Sequence, residues 1–290
     1  MNSSFIRFLY KRRLLQFLTN FSGRANINGK SFRIPIIGEM GYTNIDISEA
    51  WMVELFRIIL PLKSGEFVDV GANIGQTLLK LRSLNSEMPY TGFEPNAACL
   101  FYLRRLIEKN NFTNCQIFPV GISEKTEMGK LNFYYGDDAD SCASMLEGFR
   151  TKSVFRKEYV PLYHFSEVKS ALQADTISIL KIDVEGGELE VLNSFYHDIK
   201  EQSPIILLEI LPVYKEENKE RKARQDKIQE MLRALNYSIY RIYKEKGNIR
   251  SLKEIANIGI HSNLQECDYV VIPENLKQDF LKACGNLVHI

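Results

Sequence analysis

The chain has 290 residues, of which 45% are hydrophobic and 25% charged, the balance of a globular protein with room for a full core. Its 37 lysines and arginines face 36 aspartates and glutamates, a formal net charge of +1, so no global basic field exists to gather nucleic acid. Five cysteines (Cys99, Cys115, Cys142, Cys267, Cys284) with no C-x-x-C pair lack metal-ligand spacing and suit free thiols in a reducing compartment.

No apolar run approaches the roughly 20 residues of a membrane span. Lys11-Arg12-Arg13 interrupts what would have to be the apolar stretch of a secretion signal, so a cytoplasmic protein is expected. Residues 4–21 have a helical period, with Ile6, Tyr10, Leu14, Phe17 and Phe21 on one face and Arg7, Lys11 and Arg12 away from it. Two readings fit: a helix docked on the main domain or on a partner subunit of a homo-oligomer, or a basic amphipathic segment resting on the inner face of an anionic membrane.

Ala25 to Ile37 carries Asn28-Gly29 between alternating runs, a hairpin signal. Asp46 then predicts a helix cap, with Glu49 placed to close a capping box, Trp51, Leu55, Ile58 and Ile59 as the buried stripe, and Pro61 after the end. Residues 1–60 read as an accessory block and 61–290 as the main domain.

From Lys63 strands and helices alternate: strand 66–70, helix 75–84, strand 90–94, helix 96–109 capped by Asn96, strand 115–120. Strand 131–135 is expected at an edge, followed by a polar loop from Gly136 to Arg150 and a further strand from Tyr159 to Tyr163. Strand 177–183, helix 186–196, strand 205–209 and a charged helix from Glu216 to Leu235 come next. Tyr237 to Tyr243 and Asp268 to Pro273 leave no room for a normal crossover and predict an antiparallel pair. The insertion between them, Lys244 to Glu266, is expected to cover the substrate.

The centre of the pattern is Phe67-Val68-Asp69-Val70-Gly71-Ala72-Asn73-Ile74-Gly75, a strand running through a glycine loop into a helix. Such a loop lets a ligand approach the backbone in front of a helix dipole. Glu94 ends the next strand, 25 positions after Asp69, where an acid ordinarily takes a ribose diol. Asp183 and Glu209 end two more strands, so four acids are expected along one edge of a parallel sheet. A nucleoside-containing cofactor is the reading these residues support.

Three motifs in order, Asp69-Val70-Gly71-Ala72-Asn73-Ile74-Gly75, Phe93-Glu94-Pro95-Asn96 and Leu180-Lys181-Ile182-Asp183-Val184-Glu185-Gly186-Gly187-Glu188-Leu189-Glu190-Val191-Leu192, resemble the FkbM-type methyltransferases. The resemblance covers about residues 60 to 275. It implies an α/β, Rossmann-like class I fold: a mostly parallel seven-stranded sheet with helices on both faces, an antiparallel C-terminal strand and an N-terminal helical and hairpin cap. It further implies S-adenosyl-L-methionine as cofactor, with Gly71, Ala72, Asn73 and Gly75 around its methionine part and Asp69 and Pro95 in the same site. Glu94 would take both ribose hydroxyls, Gly121 and Ser123 would lie near the adenine, and Asp183 nearest the amino group and the transferred methyl. Departures are His164-Phe165-Ser166 where the family has Thr-Leu-Asp, Gly187 where alanine is common, and Asn193-Ser194 in place of Gly-Ala.

The implied reaction is O-methylation of a small-molecule or glycan acceptor, with sugars of glycan or glycolipid precursors foremost. A neutral hydroxyl needs a nearby base. Asp183, Glu185 and Glu209 are the candidate site acids, with His164 or His261 as base candidates. No metal is assigned, because Asp183 and Glu209 lack an evident third ligand. An NAD-dependent oxidoreductase should show G-x-G-x-x-G, whereas Gly71 and Gly75 give G-x-x-x-G. A nucleic-acid methyltransferase acting on base nitrogens would end its fourth strand in Asn/Asp-Pro-Pro-aromatic. Asp183-Val184-Glu185-Gly186 stands there instead, and two acids repel phosphate.

Overall fold

The structure is a computed structural model that describes residues 6, 8, 9, 11, 12, 21–45, 49–136, 140, 142–146 and 153–289. Among these no helix is long and apolar enough to cross a membrane. The helix expected over 4–21 lies mostly outside them, as does the capping residue Asp46. Phe21, expected on that helix, instead opens a strand.

The strands are β1 (Phe21–Ile27), β2 (Lys30–Ile36), β3 (Glu66–Val70), β4 (Tyr90–Phe93), β5 (Cys115–Phe118), β6 (Gly121–Ile122), β7 (Glu127–Phe133), β8 (Arg156–Tyr163), β9 (Ile177–Ile182), β10 (Ile205–Glu209), β11 (Tyr237–Glu245), β12 (Asn248–Glu254), β13 (Asp268–Pro273) and β14 (Val288–His289). The helices are α1 (Tyr42–Ile45), α2 (Ala50–Ile59), α3 (Gln76–Leu84), α4 (Ala97–Asn110), α5 (Phe165–Val168), α6 (Glu188–Ser194), α7 (Tyr196–Gln202), α8 (Lys219–Ala234) and α9 (Lys277–Cys284).

The expected Rossmann-like α/β architecture is present, with a wider sheet. Nine strands rather than seven run in the order β5-β4-β3-β9-β10-β13-β11-β12-β14. β5, β4, β3, β9 and β10 are parallel, and β13 lies antiparallel to both β10 and β11. Of the two additional strands, β14 lies near the end of the chain and β12 corrects the reading of residues 244–266. Lys246 and Gly247 take φ of 50° and 83°, a hairpin turn that folds β12 back along β11 and widens the sheet instead of covering the substrate. Strand 131–135 does lie at an edge, though not of the main sheet. It belongs to β7, which pairs with β8 in a separate three-stranded sheet, β6-β8-β7.

Period-two alternation sorts the strands between two cores. Phe67, Ile179, Leu207, Tyr240, Ile242 and Val270 face the layer formed by α2, α3, α4 and the β1–β2 hairpin. Val68, Val70, Leu180, Leu208 and Val271 face α6, α7 and α8. Asn28 and Gly29, at φ 51° and 77°, make the expected two-residue turn of the hairpin. Tyr102 of α4 donates to the Pro35 carbonyl at 2.9 Å, and Arg33 and Asn110 exchange two 2.7 Å bonds. These contacts place the hairpin against the sheet.

The chain winds outward through β3, β4 and β5, then crosses back to lay β9 on the other flank of β3. Such a reversal opens a crevice at the carboxyl ends of the strands, where ligands bind in sheets of this kind.

Candidate active site

A cavity of about 580 Å³ occupies that crevice, within the usual range for small-molecule sites. Its first wall is the glycine loop. Gly71 has φ +90°, and a Cβ there would sit 1.9 Å from the Asp183 carbonyl oxygen. Only glycine lets the β3 loop press against the end of β9, where the Asp183 N–H donates to the Val70 carbonyl at 3.0 Å. Gly75 serves a different purpose from the one expected. It does not line the cavity; its φ of +79° opens α3, and a Cβ would fall 2.6 Å from Leu103 and 2.9 Å from Leu106.

Glu94 lines the cavity beside this loop. Its two oxygens accept from the Asn73 N–H at 2.8 Å and the Asn96 N–H at 2.7 Å. Burial pushes its carboxyl up to about 7 against the pull of those two amides. Each oxygen keeps a further acceptor position, so the group can still receive two hydroxyl donors. The Asn96 side chain caps α4 by accepting from the Ala98 N–H at 2.9 Å, which holds the turn after β4 in place.

On the opposite side runs a row of charged side chains, of which Lys181 and Glu209 reach the cavity. Asp69, Lys181, Glu209, Asp268 and Lys244 each lie two positions from an apolar residue of the first core, namely Phe67, Ile179, Leu207, Val270 and Ile242. Strand alternation therefore puts all five on one face at the same edge. Tyr90 donates to Asp69 at 2.7 Å. The Lys181 ammonium stands 3.4 Å from Asp69 and 3.1 Å from Asp183, Asp183 is hydrogen-bonded to Glu209, and Lys244 closes the row on Asp268. Above it, Lys80 of α3 pairs with Glu49 at 2.6 Å.

This arrangement sets the charges. Burial alone would lower Lys181, but Asp183 and Asp69 hold it charged. Burial raises Asp183, yet Lys181 and the hydrogen bond with Glu209 bring it below the usual carboxylate range. The charge of Asp183, then burial and the shared hydrogen bond, raise Glu209 well above that range. The pair therefore favours a charged Asp183 and a neutral Glu209.

Of the residues singled out by sequence, Gly71, Ala72, Asn73, Glu94, Pro95, Gly121, Ser123, Asp183, Glu185 and Glu209 line the cavity. Asp69 does not: it is fully buried one layer behind, and touches the site through Lys181. His164 is also outside the lining. It caps α5, accepting from the Ser166 N–H at 3.3 Å. His261 stands apart as well, with its backbone bonded to Val213 at 3.1 Å. The Asp46 half of the expected capping box lies outside the described residues. Glu49 sits at φ 62° with no cap bond, its side chain turned to Lys80.

Sequence reasoning missed Lys181, Lys80, Asp140 and Ser144. A lysine inside the apolar strand Ile177–Ile182 was the available signal for the first. No local pattern marks the others. Asp140 accepts from the Tyr134, Tyr135 and Cys142 amides at 2.6–2.9 Å. Ser144 donates to the Glu185 carbonyl at 2.7 Å. Together they draw part of the polar loop over the cavity. Glu185 and Gly186, at φ 56° and 113°, bend the turn after β9, and Arg224 of α8 clamps it through the Gly186 carbonyl at 2.9 Å and Glu190.

A family model described as the methyltransferase FkbM domain matches residues 69–248. Among solved structures, the chain is similar to a methyltransferase FkbM from Methylobacillus flagellatus KT, at 16% identity and TM-score 0.44, over 72% of this chain and 43% of that one. It thus spans less than half of that relative's length. A precorrin-6y C5,15-methyltransferase from Geobacter metallireducens GS-15 is matched at 13% identity and TM-score 0.35, over 75% of this chain and 86% of that one. Fibrillarin from Aeropyrum pernix, with natively bound S-adenosyl-L-methionine, is matched at 12% identity and TM-score 0.40, over 87% and 81%. No curated protein matches the chain in a sequence comparison.

Proposed function

This chain belongs to the FkbM methyltransferase family, and from that premise we propose that it methylates a hydroxyl of a sugar in a glycan or glycolipid precursor. S-adenosyl-L-methionine is the methyl donor of such a domain, and the residues present suit it. Glu94 is positioned for a diol, the loop Gly71–Asn73 for the methionine part, and Gly121 and Ser123, beside Ile122 and Leu162, for a flat base. When bound, the cofactor supplies a methyl already activated on a sulfonium.

The protein's part is to place the acceptor and take its proton. The observation that carries the reading is the meeting of Asp183 and Glu209 at the cavity wall, facing the Glu94 side. A carboxylate pair suits a hydroxyl nucleophile. The same acids, with Glu185, disfavour a phosphate backbone. At the rim, Met128 is 62% exposed, and the Lys130 ammonium there lies 5.9 Å from the ring centre of Tyr159 on the neighbouring strand β8, itself 68% exposed. Such apolar faces suit the C–H side of a sugar ring.

Two measurements test this. Calorimetry with S-adenosylhomocysteine should show binding that weakens at least about tenfold in Glu94→Ala, the value of about one lost charge-assisted hydrogen bond; equal binding would remove Glu94 from the ribose site. A labelled methyl donor should then mark sugar nucleotides or lipid-linked sugars and leave RNA and DNA unlabelled. Label appearing in nucleic acid would overturn the acceptor class.

A further inference from the structure

We propose that Glu209 is the proton store of this site: it holds a proton while the cavity contains no cation and releases it to solvent when a sulfonium enters, so that a free carboxylate faces the acceptor hydroxyl. The proposal rests on the cofactor reading above and adds a role that the family assignment does not specify.

The row of side chains dictates it. Lys181 is shared by Asp69 and Asp183, at 3.4 and 3.1 Å, and Lys244 is taken by Asp268. Glu209 lies between these pairs. It faces Asp183 and Glu185 from the end of β9 and its following turn, and Asp268 and Cys267 from the β13 side. The Cys267 thiol is pushed up to about 12, chiefly by burial, and is neutral. The neighbouring Glu49 is engaged by Lys80. No ion pair to Glu209 occurs among the described residues. Four acids against two lysines cannot all ionise at these separations. Asp183 has a lysine in direct contact, so the retained proton falls to Glu209, in the bond between the two carboxyls.

Both carboxyls line the cavity. A unit positive charge entering it replaces the proton in balancing the row, and in a buried site such a charge shifts proton affinity by orders of magnitude. The chemical step then balances. The acceptor O–H bond breaks with its proton passing to Glu209, and the oxygen lone pair forms the new O–CH3 bond. The electron pair of the broken S–CH3 bond stays on sulfur as a neutral thioether. The cavity has lost its cation and Glu209 has regained its proton, which restores the starting charge.

The test compares S-adenosylmethionine with S-adenosylhomocysteine, which differ in the sulfonium charge and share the amino acid end. Calorimetry on the full chain at about pH 6.5, where both α-amino groups are protonated, is run in buffers of different ionisation enthalpy. The charged ligand should release about one more proton than the neutral one, and Glu209→Gln should abolish the difference. No difference in the wild type, or a difference that persists in Glu209→Gln, would overturn the proposal while leaving the cofactor reading intact. Failure of both ligands to bind would overturn the two together.

A second measurement needs no variant. Wild-type affinity for the charged ligand, relative to the neutral one, should increase with rising pH by up to about tenfold per unit until Glu209 titrates, and level off above that. A flat ratio rejects the store even if Glu209→Gln fails to fold.

Discussion

The two walls of the cavity hold their carboxylates by different means. On the β3–β4 side, Glu94 is fixed by two backbone amides, Asn73 and Asn96, and the fold keeps those donors in place whatever the charge around them. On the β9–β10 side, Asp183 and Glu209 are held by other side chains, so the charge of each depends on its neighbours. A backbone-held acid makes a fixed ligand contact. A charge-held pair responds to what enters.

The contrast breaks most severely at Lys181. Lys181→Met removes the cation between two buried acids and should destabilise the protein by about 3–5 kcal/mol, as loss of one partner from a buried pair does. Urea unfolding would read this, and a loss below about 1 kcal/mol would mean that the row is not held by its charges.

The backbone-held wall has its own pH signature. Burial raises Glu94 from 4.5 to about 7, so the folded state binds a proton that the unfolded chain has lost within that window. Stability from this group is full below about 4.5 and is lost as pH rises towards 7, by on the order of 3 kcal/mol. Glu188, also raised to about 7 by burial, adds in the same direction. Unfolding measured across the window should flatten in Glu94→Gln; an unchanged slope would assign the effect elsewhere.

Gly71→Ala tests the junction between the walls. Its Cβ meets the Asp183 carbonyl at 1.9 Å and φ is +90°, so a loss of about 2–3 kcal/mol is expected from overpacking and strain. A thermal midpoint within a degree or so of wild type would show that the loop can move away. The smallest effect belongs to His164→Ala, which should cost about 0.5–1 kcal/mol through the lost cap of α5 and leave methyl transfer unaltered. A large fall in kcat would return this histidine to the site.

Much of the scaffold was legible because its signals are local. The strand limits at 66–70, 205–209 and 268–273 follow from short apolar runs, and the hairpin from Asn28-Gly29. Glu94, Asp183 and Glu209 could be read as site acids because each ends such a run. Asp69 looked equivalent, yet its side chain points one layer deeper, towards Tyr90 and Lys181. The Lys244–Glu266 insertion was misjudged because a hairpin extending a sheet and a loop covering a site have similar compositions.

The sequence by itself determined the strand–glycine loop–helix unit, the order of parallel strands and helices, and the family, since all three depend on residues close together in the chain. Only the tertiary structure decided which acids share a cation, that Glu49 serves Lys80 rather than its own helix, and that Ser144 reaches Glu185. Those choices depend on which strands become neighbours in the sheet and on which face each side chain lands. Charges tens of residues apart acquire their energies only when folding removes the water between them.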